Sequence, residues 1–346
     1  MERYILKENK QEKRLMSRDC NYYFNKENGF MATWGKTKED DPEYSPFGPF
    51  ILDIEVSTIC NGINGKPCLH CYKSNTGKGV NMSLETFKKV IDKMPKVLTQ
   101  IAIGIGNIDS NEDLWDMMKY SRSKGIIPNI TINGWNLTDE YADKLAKLCG
   151  AVAVSKYDPQ DVCFDAVKKL TDRGMKQVNI HMLFSKETYN DCLALLSESV
   201  DNPKLKKLNA IVFLTVKPKG KRNTLTPPKD VSMYKTIISY ALNNGIRIGF
   251  DSCGANKFLQ ACKGRKDIKQ LEQVCEPCES GVFSSYINVE GKYFPCSFSE
   301  GETGYTEGLD VVNCDNFLKD IWFHPSTEAW RKKLLGNCRN CPIFDI

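Results

Sequence analysis

Residues 50–72 read Phe-Ile-Leu-Asp-Ile-Glu-Val-Ser-Thr-Ile-Cys-Asn-Gly-Ile-Asn-Gly-Lys-Pro-Cys-Leu-His-Cys-Tyr. Apolar and β-branched residues over 50–56 predict a strand, and the glycines, asparagines and proline after it predict a loop. Ser83 then stands as N-cap of a helix over 83–94. The same order recurs downstream: strand 99–105 with a helix over about 111–124, strand 127–132 with helix 138–148, and strand 151–155 with helix 159–173. Strand 177–184 with helix 187–200, strand 209–216 with helix 228–244, and a last short strand 247–250 complete the series. Strands alternating with helices need crossover connections, hence a parallel sheet covered by helices. Six such units make an α/β fold and leave open a full or partial (β/α) barrel and an open doubly wound sheet. In each, ligands sit beyond the carboxyl ends of the strands. The loop after Val56 lies where chemistry is expected.

Before this series, residues 1–48 are polar with little periodicity and read as an N-terminal extension. After it, residues 251–346 are rich in cysteine and glycine, with short strands at 286–289 and 292–294 and a helix over 326–335. They read as a smaller, cysteine-rich α+β domain.

The chain has 346 residues, 41% of them hydrophobic and 26% charged, an ordinary globular composition. No apolar run approaches the ~18 residues of a membrane span. Residues 1–10 lack a secretory apolar core, which gives a cytoplasmic expectation. A net charge of +5, from 48 basic and 43 acidic residues, is mild and dispersed and does not point to nucleic acid. Fifteen cysteines, in contrast, point to metal or redox chemistry in a reducing compartment.

Three of them, Cys60, Cys68 and Cys71, occupy the loop after the first strand with spacing C-x7-C-x2-C. Three thiolates on one glycine-containing loop can wrap a cuboidal iron–sulfur cluster with one iron left open, or a zinc ion that takes His70 as fourth ligand.

With its Thr-x-Cys-Asn at 58–61, Cys-x-x-Cys-Tyr at 68–72 and glycine-rich end of the second strand, the chain resembles the radical S-adenosylmethionine (SAM) enzymes over residues 50–346. The departure is the seven residues between the first two cysteines, where most members have three. The resemblance implies a (β/α)6 partial TIM barrel over 49–250, a 4Fe–4S cluster on Cys60, Cys68 and Cys71, and SAM bound at its open iron. It also implies cofactor-binding positions. His70 matches a site whose backbone meets the adenine. Gly104, Gly106 and Asn107 match a segment that holds the SAM amino group, although Asn107 replaces its acid. Thr131 and Asn133 match a Thr-Asn-Gly strand end, and Ser155 matches a polar group directed at the ribose or the methionine carboxylate. His181, alone on a strand, reads as structural more readily than as a ligand.

The second cysteine group reads Cys278-x12-Gly291-x4-Cys296, a hairpin turning at Glu290-Gly291, followed by Cys338-x2-Cys341. This resembles the twitch or SPASM region of radical SAM enzymes and implies one auxiliary 4Fe–4S cluster on Cys278, Cys296, Cys338 and Cys341, with Cys275 or Cys314 as substitutes. A zinc knuckle is the alternative. Cys20, Cys149, Cys163 and Cys192 read as small apolar residues, and Cys253 as either a ligand or a thiol near the substrate.

The run 217–222, Lys-Pro-Lys-Gly-Lys-Arg, reads as a solvated loop, or as an attractor for a carboxylate, phosphate or acidic peptide. Ser297 follows Cys296 where some peptide-modifying relatives have an aspartate. Glu300 and Tyr293 are other conceivable proton acceptors. No catalytic residue is identified. The function implied by the resemblance is reductive cleavage of SAM to a 5′-deoxyadenosyl radical that takes hydrogen from a substrate, first of all a peptide or protein. An electron donor such as flavodoxin or ferredoxin goes with this oxidoreductase or maturase chemistry. A small metabolite, a nucleotide or RNA is the alternative substrate. A zinc-binding, non-catalytic barrel is a reading of another class.

Overall fold

The computed structural model describes residues 4–37 and 40–346. Strands β1 (Ile5–Glu8), β2 (Glu12–Met16), β3 (Asn21–Asn25) and β4 (Met31–Trp34) form an antiparallel sheet in sequential order. Short strands hide this meander in the sequence, and so does Lys13 at a position on its buried face. Lys13 resolves its own burial by donating from Nζ to the Leu98 carbonyl at 2.8 Å. Tyr22, fully buried, donates to the Val97 carbonyl at 2.9 Å. Region 4–37 therefore closes the amino end of the central sheet through a cluster of Leu15, Tyr22, Phe24, Phe50, Val97 and Ile127.

The central sheet contains β5 (Ile51–Glu55), β6 (Gln100–Gly104), β7 (Ile127–Ile132), β8 (Val152–Ser155), β9 (Val178–Phe184), β10 (Ala210–Thr215) and β11 (Ile248–Phe250), all parallel and in strict chain order. The crossovers are helices α1 (Leu84–Lys93), α2 (Leu114–Ser123), α3 (Asp139–Leu148), α4 (Gln160–Thr171), α5 (Tyr189–Asp201) and α6 (Val231–Asn243). Ser83 and Thr138 cap α1 and α3, each hydroxyl oxygen accepting a backbone N–H at 3.1 Å.

Sequential order without a switch point excludes a doubly wound sheet. Side-chain alternation shows the same thing. Leu52 and Ile54 of β5, Ile101 and Ile103 of β6, and Ile130 and Ile132 of β7 join one apolar core with the six helices. The opposite face carries Asp53, Glu55, Ala102, Asn129, Thr131, Ser155, Asn179 and His181, a polar lining. All helices lie on one side and a polar interior on the other, so the sheet is a partial barrel.

Helices α7 (Ala255–Cys262) and α8 (Ile268–Val274) follow, then β12 (Ser284–Ile287), β13 (Lys292–Phe294), β14 (Leu309–Asp310) and α9 (Pro325–Gly336). Strand β12 pairs parallel with β5, Tyr286 opposite Asp53, so the cysteine-rich region extends the barrel sheet to ten strands. Among the described residues no helix is long and apolar enough to cross a membrane.

Candidate metal and cofactor site

The cysteine loop leaves the carboxyl end of β5 and is fastened at several points. The Cys60 N–H donates to the Thr76 carbonyl at 2.9 Å and the Thr58 N–H to Val80 at 2.9 Å, which folds the loop back on itself. The segment after β6 clamps it from below. Asn107, buried, accepts the Asn61 N–H on Oδ1 at 2.8 Å and donates from Nδ2 to the Gly62 carbonyl at 2.9 Å. Ser110 donates to the Ile59 carbonyl at 2.9 Å, and Asn111 to the Val56 and Met82 carbonyls at 2.8 and 3.0 Å. The Asn107 side chain is thus engaged by the loop itself.

Gly106 packs face to face with Cys60: a Cβ there would lie 2.5 Å from Cys60 Cβ and 2.2 Å from the Ile59 carbonyl oxygen. Gly106→Ala is therefore expected to displace Cys60 and lower any activity that depends on it by about 10²-fold. Native circular dichroism with reduced iron uptake would show the effect to be local.

The run 217–222 is only partly solvated: Pro218 and Lys221 are exposed, while Lys217, Lys219, Gly220 and Arg222 pack against the protein. Gly220, with φ of 105°, approaches the Cys71 carbonyl so closely that a Cβ would lie 2.3 Å from it. Arg222 donates to the carbonyls of Ser74, Cys68 and Asn75 at 3.3, 3.4 and 3.0 Å, and its Nε is buried without a partner. Lys217 is buried and paired with Asp251, and Lys219 donates to Glu302 at 2.8 Å. Lys217, Lys219 and Arg222 thus belong to the site's framework.

Cys60, Cys68 and Cys71 lie within electrostatic reach of one another. Burial pushes the Cys68 thiol up to about 11, with the charges of Cys60 and Cys71 adding to it. Burial also raises the Cys60 thiol, while the Gly62 N–H, 3.4 Å from Sγ, and the Arg222 charge act the other way. Among the described residues no three His, Cys, Asp or Glu side chains converge on one point for a single ion. The donor set itself, three thiols with a backbone N–H and a guanidinium beside them, suits an anionic thiolate-bound group.

His70 has its Nε2 buried without a partner, and its ring lies 5.3 Å from that of Tyr157. Tyr157, which the sequence reading missed, stands two residues beyond Ser155, and its hydroxyl is shared between Ser155 and the Cys68 thiol. The structure thus gathers Ser155, Tyr157, His70 and Cys68. Thr131 lies opposite Gly104 on the inner face, whereas Asn133 is buried in a turn, accepting the Trp135 N–H at 3.0 Å.

Two titratable groups line the interior without a hydrogen-bond partner among the described residues. Asp53 is open to solvent yet surrounded by protein, and that enclosure pushes its carboxyl up to about 6. Enclosure brings His181 down to about 4, against a weaker upward pull from Asp251. The unfolded chain therefore binds the His181 proton first as pH falls, and stability is lost between pH 6.5 and 4. Relative to wild type, His181→Asn should gain about 1.4 kcal/mol per pH unit across that window in parallel denaturation curves.

On the hairpin side, Lys73 lies between carboxylates, 3.2 Å from Glu55 and paired with Glu300, and donates to Tyr286 Oη at 2.8 Å. Tyr286 donates to Glu55 at 3.0 Å and Asn288 to Glu300 at 2.7 Å. Tyr72 packs against Phe298 at 4.3 Å between ring centres, with Ser297 bonded to its hydroxyl. Tyr293 lies in the core beneath the hairpin.

In the C-terminal region, Cys296 is raised to about 12 by burial and then by Cys278, with Cys341 adding a smaller push. Cys278 in turn feels Cys341. Cys338 is exposed, and Cys338 and Arg339 take left-handed φ values of 49° and 57°. Cys275 points to the Ala255 carbonyl at 3.8 Å, and Cys314 to the Val311 carbonyl at 3.3 Å with Lys93 on its own carbonyl. The structure places neither with Cys278 and Cys296. Cys20, Cys149, Cys163 and Cys192 are buried.

A thiol-bearing loop at the carboxyl mouth of a partial barrel defines the class of protein. Residues 54–198 match the family model of the radical SAM superfamily. Its structure is similar to that of SuiB from Streptococcus suis bound to precursor peptide SuiA, with a TM-score of 0.66 at 13% identity over 92% of this chain and 90% of that one. SuiB bound to S-adenosylmethionine gives 0.64 at 15% identity, over 83% and 68%. The protein anSMEcpe with bound AdoMet and Cp18Cys peptide gives 0.60 at 16%, over 85% and 86%. At such identities the likeness is one of fold. None of the curated proteins matches the chain in sequence.

Proposed function

We propose that the protein is a radical SAM enzyme holding a 4Fe–4S cluster on Cys60, Cys68 and Cys71, with SAM beside it and a peptide as substrate. The observation that carries this is the three-cysteine loop, clamped by Asn107, Ser110 and Arg222 at the carboxyl mouth of the barrel. When bound, the cluster supplies the electron that splits SAM into methionine and a 5′-deoxyadenosyl radical, chemistry that no side chain offers. The protein's own part is placement. Gly106 lets Cys60 sit against the β6 end, and Ser155, Tyr157 and Thr131 present hydroxyls toward the same mouth. Asp53 and His181 offer unpaired polar groups deeper in the interior for substrate. The Tyr72–Phe298 and Lys73–Glu300 contacts shut the mouth on the hairpin side against water.

A peptide substrate is supported by SuiB and anSMEcpe, both solved with peptides. An auxiliary cluster in the hairpin region and a flavodoxin or ferredoxin donor complete the reading. The test is anaerobic reconstitution with iron and sulfide, followed by reduction with dithionite in the presence of SAM. Release of 5′-deoxyadenosine is expected. A colourless protein that takes up zinc and leaves SAM intact would refute the enzyme.

A further inference from the structure

The geometry points to Cys253, in place of Cys338, as the fourth thiolate of the C-terminal metal site beside Cys278, Cys296 and Cys341; the assignment rests on reading that region as an iron–sulfur site. Cys253 stands in the turn after β11, far in sequence from the hairpin, yet the charges of both Cys278 and Cys296 act on its enclosed thiol. Two sets of contacts hold that turn in place. Lys217 bonds to Asp251 and to the Cys253 thiol, and its ammonium lies 4.8 Å from the centre of the Phe298 ring. The Phe298 N–H in turn donates to Cys296 Sγ at 3.4 Å. On the other side, Asn256 donates to Asn340 Oδ1 at 2.6 Å and to the Cys338 carbonyl at 3.4 Å, fixing the turn that delivers Cys341.

Cys338 meets the site only through its backbone. Left-handed φ at Cys338 and Arg339 makes a tight turn, and the Cys338 side chain is left exposed. Cys253, from the end of β11, and Cys341, from the C-terminal turn, thus each come within electrostatic reach of Cys278 and Cys296, although among the described residues the thiols are not drawn together on one point. A cuboidal cluster takes one thiolate per iron. With four supplied, no iron is left open, unlike the three-thiolate loop at Cys60, so substrate has no coordination position on this second group.

The test uses the full chain with Cys60, Cys68 and Cys71 all replaced by alanine, so that every iron reports on the C-terminal site. After anaerobic reconstitution this background should carry about four irons per chain. Adding Cys338→Ala should leave iron content and the EPR signal of the reduced protein unchanged. Adding Cys253→Ala should lower iron at least threefold, and Cys253→Ser should do the same with native circular dichroism, separating ligand loss from unfolding. Full iron with Cys253→Ala, or its loss with Cys338→Ala, overturns the assignment. A background protein that binds zinc and no iron overturns the reading beneath it.

Discussion

Alanine at any one of Cys60, Cys68 and Cys71 is expected to reduce 5′-deoxyadenosine formation by more than about 100-fold. Partners that merely orient a metal ligand are worth 10- to 100-fold when removed, and these three would be ligands themselves. The Asn107 side chain is already engaged with Asn61 and Gly62 and cannot take over, and a neutral imidazole at His70 is a weaker ligand for an iron–sulfur cluster than the thiolate lost. The three variants should lose activity alike while keeping the far-UV spectrum, because the loop is held by backbone bonds at Thr58 and Cys60 and not by the thiols. Activity within tenfold of wild type in any of them would remove that cysteine from the site.

Lys73→Met is expected to destabilise the folded chain by about 3 kcal/mol, read from chemical denaturation. Lys73, Glu55 and Glu300 have side chains 12%, 7% and 24% exposed, so two carboxylates would be left in a largely enclosed space with no cation. Tyr286 and Asn288 can still donate to them, which keeps the loss below that of an isolated buried charge. Adding Glu300→Gln to Lys73→Met should recover part of the loss, because one uncompensated charge then goes. Lys73 follows Cys71 by two residues and its partners lie on β5 and the hairpin, so the variant should also loosen the thiol loop from the hairpin. A change below about 0.5 kcal/mol would mean that solvent already screens the group.

Much of the barrel is legible in the residues. Capping hydroxyls at Ser83 and Thr138 and apolar strands mark the βα units, and the structure differs from the expected bounds mainly at helix ends. Whether the sheet is singly or doubly wound is also written there, in the alternation of Leu52 and Ile54 with Asp53 and Glu55, but apolar strands such as 211–214 mask it. The amino-terminal meander is illegible because Lys13 occupies a buried-face position and is satisfied by a carbonyl 85 residues away together with the Glu8 carboxylate. The thiol loop is legible from spacing alone. The environment of Cys253 is not: a Cys-x2-Cys spacing directs attention to Cys338, and only the backbone turn at 338–339 and the contacts of Lys217 with Asp251 and Phe298 point to the alternative. Tyr157 likewise has no motif, and its place beside Cys68 follows from how β8 ends.

The most direct measurement is the low-temperature EPR spectrum of the reduced, reconstituted wild-type protein with and without SAM. SAM is predicted to shift part of the signal, and the shift should vanish in Cys68→Ala. A spectrum that SAM leaves unmoved would contradict an open iron at the Cys60, Cys68 and Cys71 loop.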